Sequence, residues 1–203
     1  MSYPPARHRT LVLSGSLRTG SVTGRIARAA LDRGHLGHEV VLAADLDQLP
    51  LFNEDLDTDP APAAVAALRA QVATANSVLV LSPVHNASVS AALKNALDWL
   101  SRPRDASPLA GKPVTGLVIG YHSHGAEDHL EAILRAVGAH PNPAPIPVLG
   151  LRGLDPQRAA HDHRITAALA QALDALALAL ALGEARPVPL ASDIGAASAG
   201  EIR

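Results

Sequence analysis

The sequence predicts a three-layer α/β domain, with helices on both faces of a parallel, doubly wound sheet. Two observations carry this. Short β-rich runs alternate with longer Ala/Leu-periodic runs five times along the chain, the pattern of repeated strand–helix units. The first, third and fourth of these strands are almost wholly apolar rather than alternating, as strands covered on both faces are.

The elements follow in order. Residues 10–14 (Thr-Leu-Val-Leu-Ser) form an apolar strand ended by Gly15, and 21–33 reads as a helix stopped by Gly34. A second strand is expected at 39–43. A helix over 62–75 starts at Pro62, a favoured first-turn residue. The third strand, 77–81, is ended by Pro83, and a helix follows over 90–100 with Leu93, Ala96, Leu97 and Leu100 on one stripe. The fourth strand, 114–119, ends at Gly120, and the helix at 126–137 closes on Gly138. A weaker fifth strand lies at 146–149 among prolines. A long final helix is expected from Asp155 to Gly183. Residues 1–183 are read as one domain. Residues 184–203, rich in Pro, Gly, Ala and Ser without periodicity, are read as a flexible tail.

Composition narrows the function. The 203 residues are 48% hydrophobic but only 2% aromatic, so the core is built from Ala, Val and Leu. A formal net charge of −2 gives no basic footprint for nucleic acid. The absence of cysteine excludes disulfides, thiolate nucleophiles and Cys-based metal sites. Residues 1–10 show no apolar run of signal-peptide type. The apolar stretch 167–182 is interrupted by Gln171 and Asp174 and is read as a packed helix too short to span a bilayer. A soluble, cytoplasmic protein without a membrane partner is expected.

In open parallel sheets, ligands sit at the carboxyl ends of the strands. The loop after the first strand, Ser14-Gly15-Ser16-Leu17-Arg18-Thr19-Gly20-Ser21-Val22-Thr23, suits a phosphate. Glycines admit close backbone approach, hydroxyls donate, Arg18 offers a planar fork, and the loop feeds a helix N-terminus. It matches neither a Walker A loop nor Gly-x-Gly-x-x-Gly. An ordinary capped turn has the same composition.

Three segments together resemble the NAD(P)H-dependent FMN reductase family of flavodoxin-like proteins. They are Gly-Ser-Leu-Arg-x-x-Ser at 15–21, Leu-Pro-Leu-Phe-Asn-Glu-Asp-Leu at 49–56, and Pro-x-x-Asn-x-Ser with Ala-Leu-Lys-Asn-Ala-Leu-Asp-Trp at 83–99. Leu-Ala-Gly-Lys-Pro-Val at 109–114 also fits, and the likeness covers roughly residues 9–150.

The resemblance implies a five-stranded flavodoxin-like sheet of order 2-1-3-4-5, FMN as cofactor, and NADPH or NADH as electron donor. It implies that Ser16, Arg18 and Ser21 hold the FMN phosphate, that the hydroxyl of Thr23, where the family often has Asn, can still reach it, and that Val22 belongs to the same cofactor-binding set. Pro83, Val84, His85, Asn86, Ala87 and Ser88 would run along the flavin ring. Gly120, His122 and Ser123, within the segment 120–125, would close its far side. The family's usual Pro-Glu-Tyr-Asn-Gly stands here as Pro83-Val84-His85-Asn86-Ala87. His85 can still stack on a ring, and Ala87 strains the loop if that position has positive φ. No dedicated catalytic acid–base pair and no metal site are expected.

Other residues have ordinary readings. His122, His124 and His129 lack an acidic or Cys partner and are read as residues of a solvated loop rather than metal ligands, with His122 or His124 alternatively lining the flavin pocket. His161 and His163 are read as surface residues early in the final helix. Lys94 and Asp98 are spaced for an i,i+4 pair. Trp99 either anchors a subunit interface or fills the core. The acidic run 53–59 is read as a solvated loop near the ligand edge. The apolar final helix suggests burial against a second subunit, in a homodimer or homotetramer.

Three functions follow. The first is an oxidoreductase with bound FMN that passes electrons to a quinone, azo compound or other small acceptor. The second is a reductase that releases reduced FMN to a flavin-dependent monooxygenase. The third is a flavin-binding module without turnover.

Overall fold

The computed structural model of the chain describes residues 8–33, 38–44, 46–122, 125–142 and 145–183. The expected tail at 184–203 and the helix stop at Gly34 lie outside these residues.

Strands β1 (His8–Ser14), β2 (His38–Leu42), β3 (Ser77–Pro83) and β4 (Pro113–Gly120) lie in the order β2-β1-β3-β4, all parallel. The fifth lane corrects the sequence reading. It holds two short strands, β5 (His140–Pro141) and β6 (Val148–Gly150), both parallel to β4 and paired to its opposite ends. Proline cannot donate to a ladder, and Pro141, Pro143, Pro145 and Pro147 stand at every second position of this stretch. A continuous edge strand is therefore broken into two pieces. The overall order 2-1-3-4-5 is the one the resemblance implies.

Helices α1 (Val22–Leu31), α2 (Ala63–Ala73), α3 (Ala91–Leu100), α4 (Ala126–Ala136) and α5 (His163–Ala181) cover the sheet. Alternate strand residues feed two separate cores. Leu11, Leu13, Val78, Val80, Val114 and Val118 pack with α2, α3 and α4. Val12, Leu79, Leu81, Leu117 and Ile119 pack with α1 and α5. This two-sided burial is why these strands lack hydrophobic alternation.

The final helix is shorter than expected. Residues 159–161 form a 3-10 turn, and α5 starts only at His163, with Asp162 as its N-cap. Asp162 accepts from the Arg164 amide at 2.9 Å and from Arg164 Nε at 3.0 Å. The Arg164 guanidinium holds the Asp162 carboxyl down to about 2. His161 therefore sits before α5 rather than in it, and both it and His163 are exposed.

By length and composition the 19 residues of α5 are enough to cross a membrane, with a mean hydropathy of 1.4, so shortness does not exclude a span. Here α5 covers the sheet, with Ile165, Leu169 and Leu176 buried in the second core.

Trp99 is fully buried within its own chain and meets Phe52 edge to face at 5.0 Å. Its indole Nε1 donates to the Pro50 carbonyl at 2.8 Å. Asn95 donates to the same carbonyl at 3.0 Å, while its Oδ1 accepts from the Phe52 amide at 2.7 Å. Asn95 and Trp99 thus dock the segment at 49–56 onto α3. The acidic run behind it is an exposed loop, as expected, held at two points where Asp57 meets Arg69 at 2.8 Å and Glu54 meets Arg102. Lys94 and Asp98 form the expected pair at 2.6 Å.

Candidate functional site

The carboxyl ends of β1, β3 and β4 lie side by side. Ser14 is in register with Leu81, Leu81 with Leu117, and Pro83 with Ile119. The loops that follow these strands therefore meet at one edge of the sheet.

The first loop is a tight turn. Ser21 N–H donates to the Arg18 carbonyl at 3.1 Å, and Gly20 between them has φ +71°, as the third position of a type II turn requires. The turn leaves Arg18 exposed, and among the described residues Arg18 has no ion-pair partner. Ser21 is the N-cap of α1 and accepts from the Gly24 amide at 2.9 Å. Its hydroxyl hydrogen stays available to an anion at the helix start, where free amides and the helix dipole favour negative charge. Thr23 is buried in the first turn of α1, and Val22 is half-buried.

Ser14 and Arg25 add to this loop, and of the two only Arg25 has no counterpart in the sequence reading. The Arg25 guanidinium lies against the turn, because a Cβ on Gly20 would stand 3.6 Å from its Nη2. Arg25 Nε and Ser14 Oγ are both buried and have no hydrogen-bond partner. Buried donors are normally satisfied, and a bound anion would satisfy these. Periodicity places Arg25 on α1 but does not aim it back at the turn.

The second loop is fixed at both ends. Val84 N–H donates to the Ile119 carbonyl at 3.0 Å. His85 and Ser88 exchange backbone hydrogen bonds of 2.9 and 3.0 Å, closing a two-residue turn over Asn86 and Ala87. Asn86 has φ 50° and Ala87 φ 60°, so both central residues are left-handed, as in a type I′ turn. The strain anticipated at Ala87 is present. His85, Asn86 and Ala87 are exposed, while Pro83, Val84 and Ser88 are half-buried.

Ser88 Oγ lies 2.8 Å from His129 Nδ1 of α4, so His129 braces this loop. Beyond β4, the buried Gly120 leads to exposed His122, whose Nε2 lies 2.7 Å from Arg152. Arg152 can only donate, so His122 Nε2 accepts. Ser123 and His124 lie outside the described residues.

The first and second loops are tied together. Ser90, the N-cap of α3, donates from its hydroxyl to the Gly15 carbonyl at 2.5 Å. Ser82 Oγ in turn accepts from the Ser90 amide at 3.2 Å. A side chain at Gly15 would collide here, since its Cβ would stand 2.6 Å from Ser90 Oγ.

The family model for NADPH-dependent FMN reductases matches residues 8–151, which hold β1 through β6 and all three loops. The chain belongs to the NADPH-dependent FMN reductase family. An NAD(P)H-dependent FMN reductase of Pseudomonas aeruginosa is 36% identical over 136 residues, covering 66% of this chain and 72% of that relative. A quinone reductase of Escherichia coli is 41% identical over 107 residues, covering 52% of this chain and 56% of its own length. Among solved structures, a flavoenzyme NAD(P)H:(acceptor) oxidoreductase of Paracoccus denitrificans superposes with a TM-score of 0.66 at 24% identity, covering 83% of this chain and 94% of that one. At that identity the superposition supports the fold.

The residues present fit the family's flavin. Among the described residues Arg18 and Arg25 stand at the first loop without ion-pair partners, and a buried donor beside it is unsatisfied. This is what a phosphomonoester needs.

Proposed function

We propose that this chain is an NAD(P)H-dependent FMN reductase that serves quinone-type acceptors. The observation that carries the reading is the turn at 18–21, which leaves Arg18 without an ion-pair partner among the described residues, beside an α1 N-terminus capped by Ser21. The quinone reductases among its relatives support the acceptor class.

When bound, FMN supplies the hydride chemistry, accepting from a reduced nicotinamide and delivering to the acceptor. The chain's own groups bind and orient. Ser16, Arg18, Ser21 and Thr23, with Val22 between them, hold the phosphate at the start of α1, and Arg25 adds charge. Pro83 to Ser88 line the ring through a loop pinned at Val84 and His85, so backbone donors meet the flavin without reorganising. Gly120 and His122 close the opposite side, with Arg152 orienting the His122 imidazole. His85 and Asn86 stand exposed where a planar donor or acceptor would stack.

A cytoplasmic homodimer fits this reading. Leu178 and Leu182 at the end of α5 are 59% and 64% exposed, and a second subunit would cover them.

Titration with FMN, followed by NADPH oxidation with and without benzoquinone, tests the proposal. Saturable FMN binding and quinone-stimulated NADPH oxidation are expected. Absence of FMN binding would overturn it.

A further inference from the structure

The ring-facing turn at 85–88 holds a shape that its own residues resist. Asn86 and Ala87 are both left-handed, at φ 50° and 60°, a region that side chains disfavour. Such a conformation persists only where the surroundings over-determine it. Two backbone bonds close the turn, from the His85 amide to the Ser88 carbonyl and from the Ser88 amide back. His85, Asn86 and Ala87 stand exposed, with no burial to secure them. Among the described residues, the side chains of 84–88 make one hydrogen bond, between Ser88 Oγ and His129 Nδ1 at 2.8 Å.

His129 reaches the turn from a rigid base. It lies in the first turn of α4 and donates its amide to the Gly125 carbonyl at 3.0 Å. Ala126 and Leu130 beside it are fully buried and anchor the helix in the first core. The helix begins directly behind the segment 120–125, which is assigned to the far side of the ring. The Ser88–His129 bond therefore ties one wall of the flavin slot to the base of the other. Packing makes a second tie at the start of the turn. Val84 lies so close to Gly120 that a Cβ there would stand 2.7 Å from Val84 Cγ2. Val84 thus fixes where the turn begins, and Ser88 fixes where it ends.

We propose that His129 is a positioning residue for the flavin, holding the turn at 85–88, through Ser88, in the strained shape that meets the ring. The inference rests on the reductase reading. A loop already in its bound shape loses no conformational freedom when the cofactor arrives. Where that shape is lost in a fraction of molecules, apparent affinity falls with the competent fraction. His129 is not among the residues assigned to the cofactor, so it acts through Ser88 alone. An imidazole Nδ1 can accept from the serine hydroxyl or donate to it, according to its tautomer. The side-chain amide of asparagine, also one bond beyond Cγ, can do either as well. Alanine can do neither.

Titration of the FMN-free protein with FMN, followed by circular dichroism of the bound flavin, tests this without turnover. The proteins are wild type, His129→Ala, His129→Asn, Ser88→Ala and the double variant Ser88→Ala/His129→Ala. His129→Ala is expected to raise the Kd for FMN roughly three- to tenfold, as one neutral hydrogen bond allows, and to change the dichroism of the flavin band. His129→Asn is expected to restore the spectrum and to return the Kd to within about twofold of wild type. The double variant is expected to bind FMN no more weakly than Ser88→Ala alone, because both changes remove the same bond. Unchanged affinity and spectrum in His129→Ala would overturn the inference. So would failure of His129→Asn to restore them, or losses that simply add in the double variant. A wild type that does not bind FMN would overturn the reductase reading itself.

Discussion

Ser90 Oγ donates to the Gly15 carbonyl at 2.5 Å across 75 residues of sequence. The bond joins the phosphate-type loop after β1 to the N-terminus of α3, and through Ser82 to the loop after β3. Ser90 also caps α3, accepting from the Leu93 amide at 3.3 Å. One hydroxyl thus sets the spacing between the two loops assigned to FMN. Ser90→Ala is expected to lower unfolding free energy by about 2 kcal/mol, the sum of a lost cap and a lost buried bond. FMN affinity should fall with it. Urea unfolding together with an FMN titration checks both effects.

Arg18 is the cation of the turn at 18–21. Removing a charge-assisted contact to phosphate costs on the order of 1.5–3 kcal/mol. Arg18→Ala should therefore weaken FMN binding by roughly one to two orders of magnitude, while the melting temperature of the FMN-free protein barely moves. An unchanged FMN affinity would remove the phosphate assignment.

Ala87 sits at φ 60°, where a side chain costs roughly 1–2 kcal/mol. Ala87→Gly should raise unfolding free energy by about 1 kcal/mol, since the relief is partly offset by the freer unfolded chain. Urea denaturation checks the sign: a destabilised variant would contradict the type I′ geometry.

Asp162 links stability to pH. Its folded carboxyl titrates at about 2, below the ordinary 3.8. A depressed acid stabilises the fold above its unfolded value, and that contribution disappears as pH falls through the folded value. Asp162→Ala should therefore be less stable than wild type at neutral pH, with the gap closing from pH 3.8 down to about 2. A gap that stays constant across this window would show that the carboxylate charge contributes nothing. Guanidinium midpoints at several pH values would measure it.

Much of the fold is legible in the sequence because its signals are local. Apolar strands announce two-sided burial, Ser21 and Ser90 mark helix starts, and Gly138 and Gly183 mark helix ends. The broken fifth lane is half-visible. The prolines at 141–147 warn of an irregular edge, but hydrophobicity alone placed one strand there, and nothing local shows that His140–Pro141 also pairs with β4. The late start of α5 follows from Asp162, whose capping bond competes with continuing the helix backward.

The loops of the candidate site are legible by motif, but what holds them is not. The Ser90–Gly15 bond, the Ser88–His129 contact and the docking of Pro50 by Asn95 and Trp99 join residues 41 to 75 positions apart. No period or spacing rule reaches that far. Arg25 escaped notice for a related reason. On a helix, arginines read as solvated surface until the fold turns them toward a loop.

The central claim is that this chain binds FMN and lets a reduced nicotinamide reduce it. The most direct measurement is the absorbance spectrum of the FMN-loaded protein under anaerobic conditions, before and after one equivalent of NADPH. The flavin band is expected to bleach and to return when benzoquinone is added. A band that persists in the presence of excess NADPH would contradict it.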